Sequence, residues 1–373
     1  MVPIESLRAR QLQLKKVLLT SRLDALVLNP GPTLTYLTGL HFHLSERPVL
    51  ALFVTGKVPI IVLPELESAK VANLPYKARI FTYGENPAEW TKVFRDVAKM
   101  AQLEGTRVGM ETRRMRVLEL RLLEKAAPRT FFLDAQKEIA SLRMFKDPGE
   151  IEAMKKGAEV AEAAMQATLP QIRVGQTEKE IANTLTIELL RHGSHPELPF
   201  SPIVASGPNS ANPHATPTDR QLQNGDLLII DWGANIDDYY SDITRTFRVG
   251  DIDPELQTIA NAVLAANRAA AKQAKPGAEA GSVDLAAREV IYQAGYAQYF
   301  IHRTGHGLGM EGHEEPYIRS DNALPLQPGM VFTIEPGIYL PNRGGVRIED
   351  DVVITKDGLI SLTTLPRELL PVG

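Results

Sequence analysis

Residues 227–247 read LLIIDWGANIDDYYSDITRTF and contain two strand-like runs. The apolar run from Leu227 to Ile230 and the run from Ser241 to Phe247 have the composition and length of strands. The residues between the two runs are rich in Gly, Asn and Asp, which favour turns. The stretch therefore predicts an antiparallel hairpin whose strands carry two acids, Asp231 and Asp242.

The two acids of this hairpin lie symmetrically about Ile236-Asp237. If the turn is centred there, Asp231 and Asp242 face each other across the strands, with roughly 5 Å between their Cβ atoms. Two buried carboxylates that close repel each other unless they share a proton or bind a cation. The hairpin therefore indicates a metal site.

A second pair of acids, Glu335 and Glu349, is symmetric about Asn342, and Glu335 follows the apolar run from Val331 to Ile334. Any one such acid is more often a solvated residue, but unpaired acids at the ends of core-facing strands are costly. With His306, the four carboxylates predict a centre for two divalent ions. Because the chain has no Cys, this ligand set suits Mn²⁺, Co²⁺, Fe²⁺ or Zn²⁺ in a hydrolytic site.

The second part of the chain, residues 135–373, repeats one order of elements. Two helices precede each hairpin, and the predicted segments are helices at 148–168, 178–191, 254–274 and 283–294, with strands at 227–231, 241–247, 331–335 and 346–355. Asp147-Pro148 with Glu150, and Thr177 with Glu180, have the pattern of helix-capping boxes. The order predicts a duplicated helix-helix-hairpin unit.

The first part of the chain, residues 1–134, alternates helical and extended patterns and predicts a separate α/β domain with a mixed sheet. The length of 373 residues, with 44% hydrophobic residues, is enough for two domains with cores. A formal net charge of −4 gives no basic surface for nucleic acid. No stretch predicts a signal peptide or a membrane span. We therefore expect a cytoplasmic protein with small or peptide partners.

Separated motifs follow one another in the second part of the chain. They are Asp231-Trp232-Gly233, residues 241–247, His302 to Gly309, His313-Glu314-Glu315-Pro316, Thr333 to Tyr339, and Val346 to Asp350. In this order they resemble the metal-dependent pita-bread peptidases, specifically the Xaa-Pro aminopeptidase and Xaa-Pro dipeptidase (prolidase) group. Tyr36-Leu37-Thr38-Gly39 is similar to the creatinase-type N-terminal domain of these proteins. The resemblance implies an α+β protein with a pita-bread catalytic domain at 135–373 and a smaller α/β creatinase-like domain at 1–134.

The resemblance implies how the metals are held. Asp231 would chelate one ion, His306 and Glu335 would chelate the other, and Asp242 and Glu349 would bridge both. Two divalent ions can acidify a water and stabilise the oxyanion that forms at a peptide carbonyl. Mn²⁺ is favoured, although Co²⁺ and Zn²⁺ share this ligand set.

The resemblance also implies catalytic roles. His214 would lie beside the scissile bond, His313 would help to hold the tetrahedral intermediate, and Glu335 is a candidate for proton transfer as well as ligation. His302 is a candidate substrate-binding residue, although a lone histidine is often a core or surface side chain.

Two residues are expected to support the ligands. Thr244 and Arg347 lie two residues from Asp242 and Glu349, so they are expected on the same strand faces as those acids. There they would be hydrogen-bond partners of the ligand carboxylates, and Arg347 is also a candidate for substrate binding.

Two activities stay open within the resemblance. A dipeptidase must satisfy its substrate's C-terminal carboxylate, usually with an arginine, whereas an aminopeptidase must leave that side open. Some prolidases carry an arginine directly after the His-x-x-Pro motif, where this chain has Tyr317, with Arg319 two residues on. Arg47 lies in a loop that, in relatives that dimerise, reaches the neighbouring subunit's site. We expect a homodimeric dipeptidase in which Arg47 or Arg319 holds the carboxylate, with aminopeptidase P as the alternative. Tyr317 is a further candidate for substrate binding.

Three other interpretations are weaker. Pita-bread folds also serve as non-catalytic binding proteins, but loss of ligands marks those, and all five ligand types are present here. A methionine aminopeptidase would not need the N-terminal domain or the His302 motif. The spacing of Gly307, Gly309 and Gly312 matches a dinucleotide-binding pattern without its βαβ context. We expect these glycines to let the backbone pack around His306 instead.

Overall fold

The computed structural model describes residues 3–373, and its contacts divide the chain into two compact units. The first unit ends at Arg143 and the second begins at Met144. The division predicted after residue 134 falls earlier, before the helix Gln136–Arg143. That helix packs within the first unit, where it contacts the first helix of the chain and buries Ile139 and Leu142.

The first unit is built on a mixed six-stranded sheet. Its helices are α1 Ile4–Thr20, α2 Pro32–Thr38, α3 Trp90–Ala101, α4 Val117–Ala126 and α5 Gln136–Arg143. Its strands are β1 Ala25–Leu28, β2 Leu50–Val54, β3 Ile60–Pro64, β4 Arg79–Tyr83, β5 Arg107–Met110 and β6 Phe131–Asp134. They are ordered β4-β3-β2-β1-β5-β6, and β2 runs antiparallel to both of its neighbours while the other pairs are parallel. The predicted mixed sheet is confirmed.

The second unit contains the four predicted helices. They are α6 Pro148–Thr168, α7 Glu178–Arg191, α8 Pro254–Gln273 and α9 Ala280–Gln293. Both predicted capping boxes form, at the starts of α6 and α7. No helix within residues 3–373 has the length and apolar character needed to cross a membrane.

The strands of the second unit form two main sheets and two short ribbons. They are β7 Ile203–Ser206, β8 Leu227–Trp232, β9 Asn235–Ile236, β10 Tyr239–Tyr240, β11 Ile243–Val249, β12 Gly305–Gly307, β13 Glu314–Ile318, β14 Val331–Ile334, β15 Gly337–Leu340, β16 Gly344–Arg347, β17 Asp350–Thr355, β18 Gly358–Ser361 and β19 Leu370–Val372. The main sheets are ordered β19-β11-β8-β7 and β13-β12-β14-β17-β18. The ribbons are β9 with β10 and β15 with β16.

Each main sheet is covered by its own helix pair. Apolar residues of α6 and α7, such as Val160 and Leu185, pack with Ile230 and Phe247 of the first sheet. Likewise, α8 and α9 pack with the second sheet in a separate core cluster. Two helix pairs on two sheets form the predicted duplicated unit, and the expected pita-bread arrangement is confirmed.

The register of the first hairpin differs from the prediction. Its turn is Asp237-Asp238, with φ values of 51° and 69°, and Thr244 rather than Asp242 pairs with Asp231. Two consecutive residues with positive φ match the twist of a tight hairpin, and Asp tolerates this conformation better than most side chains. The turn is therefore centred one residue later than predicted, and Asp242 lies diagonally from Asp231.

The second hairpin has the predicted register. Gly337 pairs with Arg347 about a turn in which Asn342 has a φ of 63°. The single strand predicted at 346–355 is wrong, however, because β16 and β17 are separated at Ile348-Glu349. The chain changes partners there: the Glu349 N–H donates to the carbonyl of Thr244 in the first sheet at 3.0 Å. Glu349 thus lies where the two sheets meet.

Glycines around β12 permit close approach of neighbouring backbone. A Cβ at Gly305 would overlap the carbonyl oxygen of Thr333, and one at Gly307 would overlap that of Glu315. A side chain at either position would push the adjacent strands away from His306 between them. The expectation that glycines let the backbone pack around His306 is confirmed at Gly307, and a strand rather than a helix follows the glycine motif.

Replacing Asp147 by alanine tests the cap of α6. The Asp147 carboxylate accepts a hydrogen bond from the Glu150 N–H at 2.9 Å. We expect the free energy of unfolding to fall by about 0.5–2 kcal/mol, because one helix-terminal N–H loses its partner. Glu152→Ala is the matched control: it removes an exposed carboxylate of the same helix that caps nothing, so its effect should stay under about 0.5 kcal/mol. Equal losses in urea denaturation would contradict the capping role.

Candidate metal centre

One cavity of the second unit, about 920 Å³ in volume, is lined by all five predicted ligands. They are Asp231, Asp242, His306, Glu335 and Glu349. Asp231 lies near the end of β8, Asp242 precedes β11, and His306 is the middle residue of β12. Glu335 follows β14, and Glu349 lies between β16 and β17. The two sheets therefore bring to one place residues that span 119 positions of the chain.

His306 is the centre of a close cluster of ligand atoms. Its Nε2 lies 3.4 Å from Glu335 Oε1 and 3.7 Å from Asp242 Oδ2. Asp242, His306 and Glu349 each offer a ligand atom, and these atoms lie within 4.8 Å of one another. Since bonds from nitrogen or oxygen to zinc-like ions are about 2.0–2.2 Å long, this spacing is close to that of donors around one ion.

The tautomer of His306 follows from its hydrogen bond. Its Nδ1 lies 3.1 Å from the carbonyl oxygen of Gly307, which can only accept. Burial, and then the neighbouring His313, hold the pKa of His306 well below its usual range, so the ring is neutral and Nδ1 carries its hydrogen. The lone pair on Nε2 therefore faces the oxygens of Asp242 and Glu335. When Asp242 and Glu335 are ionised, the three groups are acceptors with no donor between them, an arrangement that suits a cation.

The carboxylates of the cluster raise one another's pKa. Burial raises the pKa of Asp242 well above its usual value, and the negative charges of Glu349 and Asp231 raise it further. Burial and the charge of Glu335 do the same to Glu349. The pKa of Glu335 rises to about 7, chiefly through burial. Divalent ions bound among these groups would offset the repulsion between the carboxylates and would stabilise their ionised forms despite burial.

Asp231 supplies an independent test of whether a metal fits. Its Oδ2 accepts a hydrogen bond from Arg347 Nη2 at 2.5 Å, whereas its buried Oδ1 has no hydrogen-bond partner among residues 3–373. A buried carboxylate oxygen without a donor is costly and rare. The donor set of four carboxylates and one neutral imidazole is also one that binds divalent transition metals. The residues present therefore fit a divalent metal centre.

Thr244 and Arg347 lie beside the carboxylates, as predicted. Thr244 Oγ1 donates to Glu349 Oε2 at 2.6 Å, and Arg347 Nε donates to Thr244 Oγ1 at 3.0 Å. Together with the bond from Arg347 to Asp231, these contacts join the two sheets and fix the orientations of two acids. Hydrogen bonds of this kind orient metal ligands in proteins.

His302 belongs to a chain of hydrogen bonds that the sequence did not reveal. Its Nδ1 donates to the carbonyl of Arg303 at 2.7 Å, and its Nε2 accepts from Tyr339 Oη at 2.8 Å. Arg347 Nη1 in turn donates to Tyr339 Oη at 3.0 Å. Burial lowers the pKa of His302 to about 4 and raises that of Tyr339 to about 12, so both side chains are neutral. The motif Thr333 to Tyr339 predicts no role for Tyr339.

His214 and His313 also line the cavity. The rings of His313 and His306 lie 3.9 Å apart between centroids. His313 Nδ1 accepts a hydrogen bond from Arg303 Nη2 at 3.2 Å, and burial followed by the charge of Arg303 lowers its pKa to about 4. His313 is therefore neutral with its hydrogen on Nε2. The loop of His214 is held by Arg347, which donates to the carbonyl of Pro213 at 3.1 Å.

The three remaining predicted residues lie elsewhere. Arg319 is exposed and pairs with Asp321 at 3.3 Å. The Tyr317 ring packs against the guanidinium of Arg303, with 4.4 Å from Cζ to the ring centroid. Of the described residues, those that line the cavity include neither Tyr317 nor Arg319.

Arg47 belongs to the first unit. There it forms ion pairs with Glu85, at 2.7 Å, and with the adjacent Glu46.

Arg303 lines the cavity and was not among the predicted site residues. The sequence contains one indication of a role for Arg303: with the histidines neutral, it is the one charged residue in the run His302 to Gly309. Its partners, His313 and Tyr317, come from elsewhere in the sequence. Only the fold shows that a cation stands in the wall of this cavity.

Comparisons with known proteins agree with this architecture. Residues 152–356 match metallopeptidase family M24, and residues 10–145 match the creatinase/prolidase N-terminal domain. The chain therefore belongs to metallopeptidase family M24 and is a peptidase. Membership of a metallopeptidase family implies the use of a divalent metal.

Individual relatives are similar along nearly the whole chain. The putative dipeptidase YkvY of Bacillus subtilis is 36% identical over 336 residues, which cover 90% of this chain and 92% of that protein. The crystal structure of a prolidase from Thermococcus sibiricus superposes with a TM-score of 0.93 at 33% identity and covers all of both chains. An X-Pro aminopeptidase from Thermotoga maritima superposes with a TM-score of 0.85 at 32% identity, over 97% of this chain and 99% of that chain.

The raised pKa of Glu335 predicts a pH-dependent stability difference in chelator-treated protein. The folded state keeps a proton on Glu335 up to about pH 7, whereas the ordinary value is 4.5. The contribution of this proton to the free energy of unfolding is therefore fully present below pH 4.5 and is lost as the pH rises to 7. Glu335→Gln resembles the protonated form, so we expect it to match wild type at pH 5 and to be more stable at pH 8.

Thermal unfolding in the presence of EDTA measures this difference. Excess Mn²⁺ at pH 8 is the matched condition: it should stabilise wild type more than Glu335→Gln and so reverse their order. A stability difference that does not change with pH would contradict the assigned environment of Glu335.

Proposed function

We propose that the protein is a metal-dependent peptidase that cleaves the bond before proline, chiefly in Xaa-Pro dipeptides. The observation that carries the proposal is the neutral His306, whose Nε2 faces the carboxylate oxygens of Glu335 and Asp242 at 3.4 and 3.7 Å. The named dipeptidase and prolidase among its relatives support the choice of substrate.

Five residues would hold two divalent ions, with Mn²⁺ favoured over Co²⁺ and Zn²⁺. They would be Asp231, Asp242, His306, Glu335 and Glu349. Bound divalent ions supply an acidified water and polarisation of the scissile carbonyl. Thr244 and Arg347 keep the carboxylates oriented toward the cavity through the bonds to Glu349 and Asp231.

Two histidines of the cavity, His313 and His214, act on the substrate. Because His313 Nδ1 accepts from Arg303, its Nε2–H is a donor for the oxyanion of the tetrahedral intermediate. His214 contacts the bound substrate beside the scissile bond. His302 accepts from Tyr339, which restrains the position of Tyr339 beside Arg347.

Glu335 is the residue proposed to move a proton. Its side chain is 15% exposed, against 8% for Asp242 and 11% for Asp231. It is therefore the ligand carboxylate that a bound substrate reaches most readily. Glu335 takes the proton of the attacking water and passes it to the proline nitrogen as the peptide bond breaks.

The apolar part of the cavity wall suits a proline ring. Pro199, Phe200, Ile203 and Pro213 line the cavity together with the polar groups. A cyclic imino acid has no N–H after peptide-bond formation, so its recognition depends on apolar contact with the ring. Cleavage of longer Xaa-Pro peptides, as by an aminopeptidase P, is the second candidate, and the similarity to the X-Pro aminopeptidase from Thermotoga maritima supports it.

Hydrolysis of Ala-Pro and Ala-Pro-Ala by Mn²⁺-loaded protein tests the proposed function. We expect turnover of the dipeptide that is abolished by EDTA and faster than turnover of the tripeptide. Preference for the tripeptide would favour aminopeptidase P. Failure to cleave either peptide with metal bound would contradict the proposal.

Removing the Thr244 hydroxyl tests the support of the ligands. Thr244→Val loses the donor to Glu349, and we expect metal affinity or kcat to fall by on the order of 10- to 100-fold. His192→Ala is a control, because His192 caps the end of α7 and lies outside the cavity lining. Equal activities for Thr244→Val and wild type in a Mn²⁺ titration would show that this hydrogen bond does not orient the ligand.

The homodimer, the cytoplasmic location and a role for Arg47 in substrate binding stay predictions. Light scattering tests the first and cell fractionation the second.

A further inference from the structure

Two arginines line the metal-centre cavity, Arg303 and Arg347. Arg347 is fully engaged, since it donates to Asp231, Thr244, Tyr339 and a backbone carbonyl. The Arg303 side chain makes one hydrogen bond, to a ring nitrogen of His313 at 3.2 Å, and forms no ion pair with any residue between 3 and 373. A guanidinium has five N–H donors, so most of those of Arg303 are not used by the protein.

The position of Arg303 is nevertheless fixed. Its guanidinium carbon lies 4.4 Å from the centroid of the Tyr317 ring, a cation–π distance. Contact with Tyr317 on one face and His313 at one nitrogen restrains the planar group at the cavity wall. A restrained cation with free donors beside a metal centre is a site for an anion, because its donor fork matches a carboxylate in two parallel hydrogen bonds.

The place of Arg303 relative to the metal ligands identifies which anion fits. The ring centroids of His313 and the ligand His306 lie 3.9 Å apart, and Arg303 is hydrogen-bonded to His313 Nδ1 at 3.2 Å. In an Xaa-Pro dipeptide the carboxylate lies a single residue beyond the scissile bond, and one residue of extended chain spans about 3.3–3.6 Å. The carboxylate of a dipeptide bound at the metal centre would therefore lie within hydrogen-bond reach of the Arg303 guanidinium, which is separated from the ligand His306 only by the His313 side chain.

We propose that Arg303 binds the C-terminal carboxylate of Xaa-Pro dipeptides and is the residue that selects dipeptides over longer peptides. The inference rests on the proposed function and assigns the carboxylate to Arg303 rather than to Arg47 or Arg319. In a substrate that continues beyond proline, a peptide amide replaces the C-terminal carboxylate. The amide cannot form the charge-assisted pair and leaves the guanidinium without its counter-ion.

The test compares Ala-Pro with its C-terminal amide, Ala-Pro-NH₂, in Mn²⁺-loaded wild type and Arg303→Ala. We expect the KM of wild type to be lower for the acid. In the variant the KM for the acid should rise on the order of 10- to 100-fold, as for the loss of hydrogen bonds to a charged group, while the KM for the amide stays unchanged. Arg303→Lys keeps the positive charge but lacks the paired N–H donors of the guanidinium, so its KM for the acid should lie between those of wild type and Arg303→Ala.

Arg319→Ala is the matched control. It removes the same charge from an exposed position paired with Asp321, and it should leave both KM values unchanged. Arg47→Ala is tested in parallel. A rise in the KM for the acid in Arg47→Ala or Arg319→Ala, with none in Arg303→Ala, would overturn the inference.

Two further outcomes distinguish carboxylate binding from a purely structural role of Arg303 and from failure of the proposed function. If Arg303 acts only by holding His313, kcat falls equally for acid and amide in Arg303→Ala, and carboxylate binding is disproved. If wild type cleaves neither compound, the proposed function fails, and the uncleaved Ala-Pro and its amide are then titrated into both proteins by calorimetry. Tighter binding of the acid in wild type alone would still support the carboxylate site, and equal binding of both compounds would overturn it.

Discussion

The mutual repulsion of four buried carboxylates is the constraint on which the second unit depends. Asp231, Asp242, Glu335 and Glu349 are brought together from two sheets, and burial with the charges of neighbouring acids raises the pKa of Asp242 and Glu349. Folding concentrates negative charge where water cannot screen it. The cluster needs either bound protons or compensating positive charge, and divalent ions would supply that charge.

The duplicated architecture supplies the geometry for this cluster. Each sheet is covered by its own helix pair, and the two sheets meet at the bridge between Thr244 and Glu349. Arg347 and Thr244 cross that junction and fix Asp231 and Glu349 with hydrogen bonds of 2.5 and 2.6 Å. Because the ligands lie within strands or directly beside strand ends, their spacing is set by the packing of the sheets rather than by long loops.

Much of this arrangement could be predicted from local signals in the sequence. The helices α6 and α7 have clear start signals in their capping boxes, whereas α9 begins at Ala280, three residues before its predicted start, without a capping side chain. The ligand types followed from acids at the ends of apolar runs. The first turn was misplaced because residues on either side of Ile236-Asp237 look symmetric, whereas the conformational tolerance of Asp237-Asp238 decides the register. Arg303 and Tyr339 were missed for a different reason. Their functions come from contacts with His313, Tyr317 and His302, which only the folded chain brings together.

Calorimetric titration of metal-depleted wild type with Mn²⁺ at pH 7.5, with His306→Ala as the comparison, tests the central claim most directly. We expect saturable binding of two ions per chain, with loss of at least one tight site in the variant, because His306 supplies the neutral nitrogen that faces the carboxylates. Folded wild-type protein that binds no Mn²⁺, or a variant that binds it as wild type does, would contradict the assignment of this cluster as the metal centre.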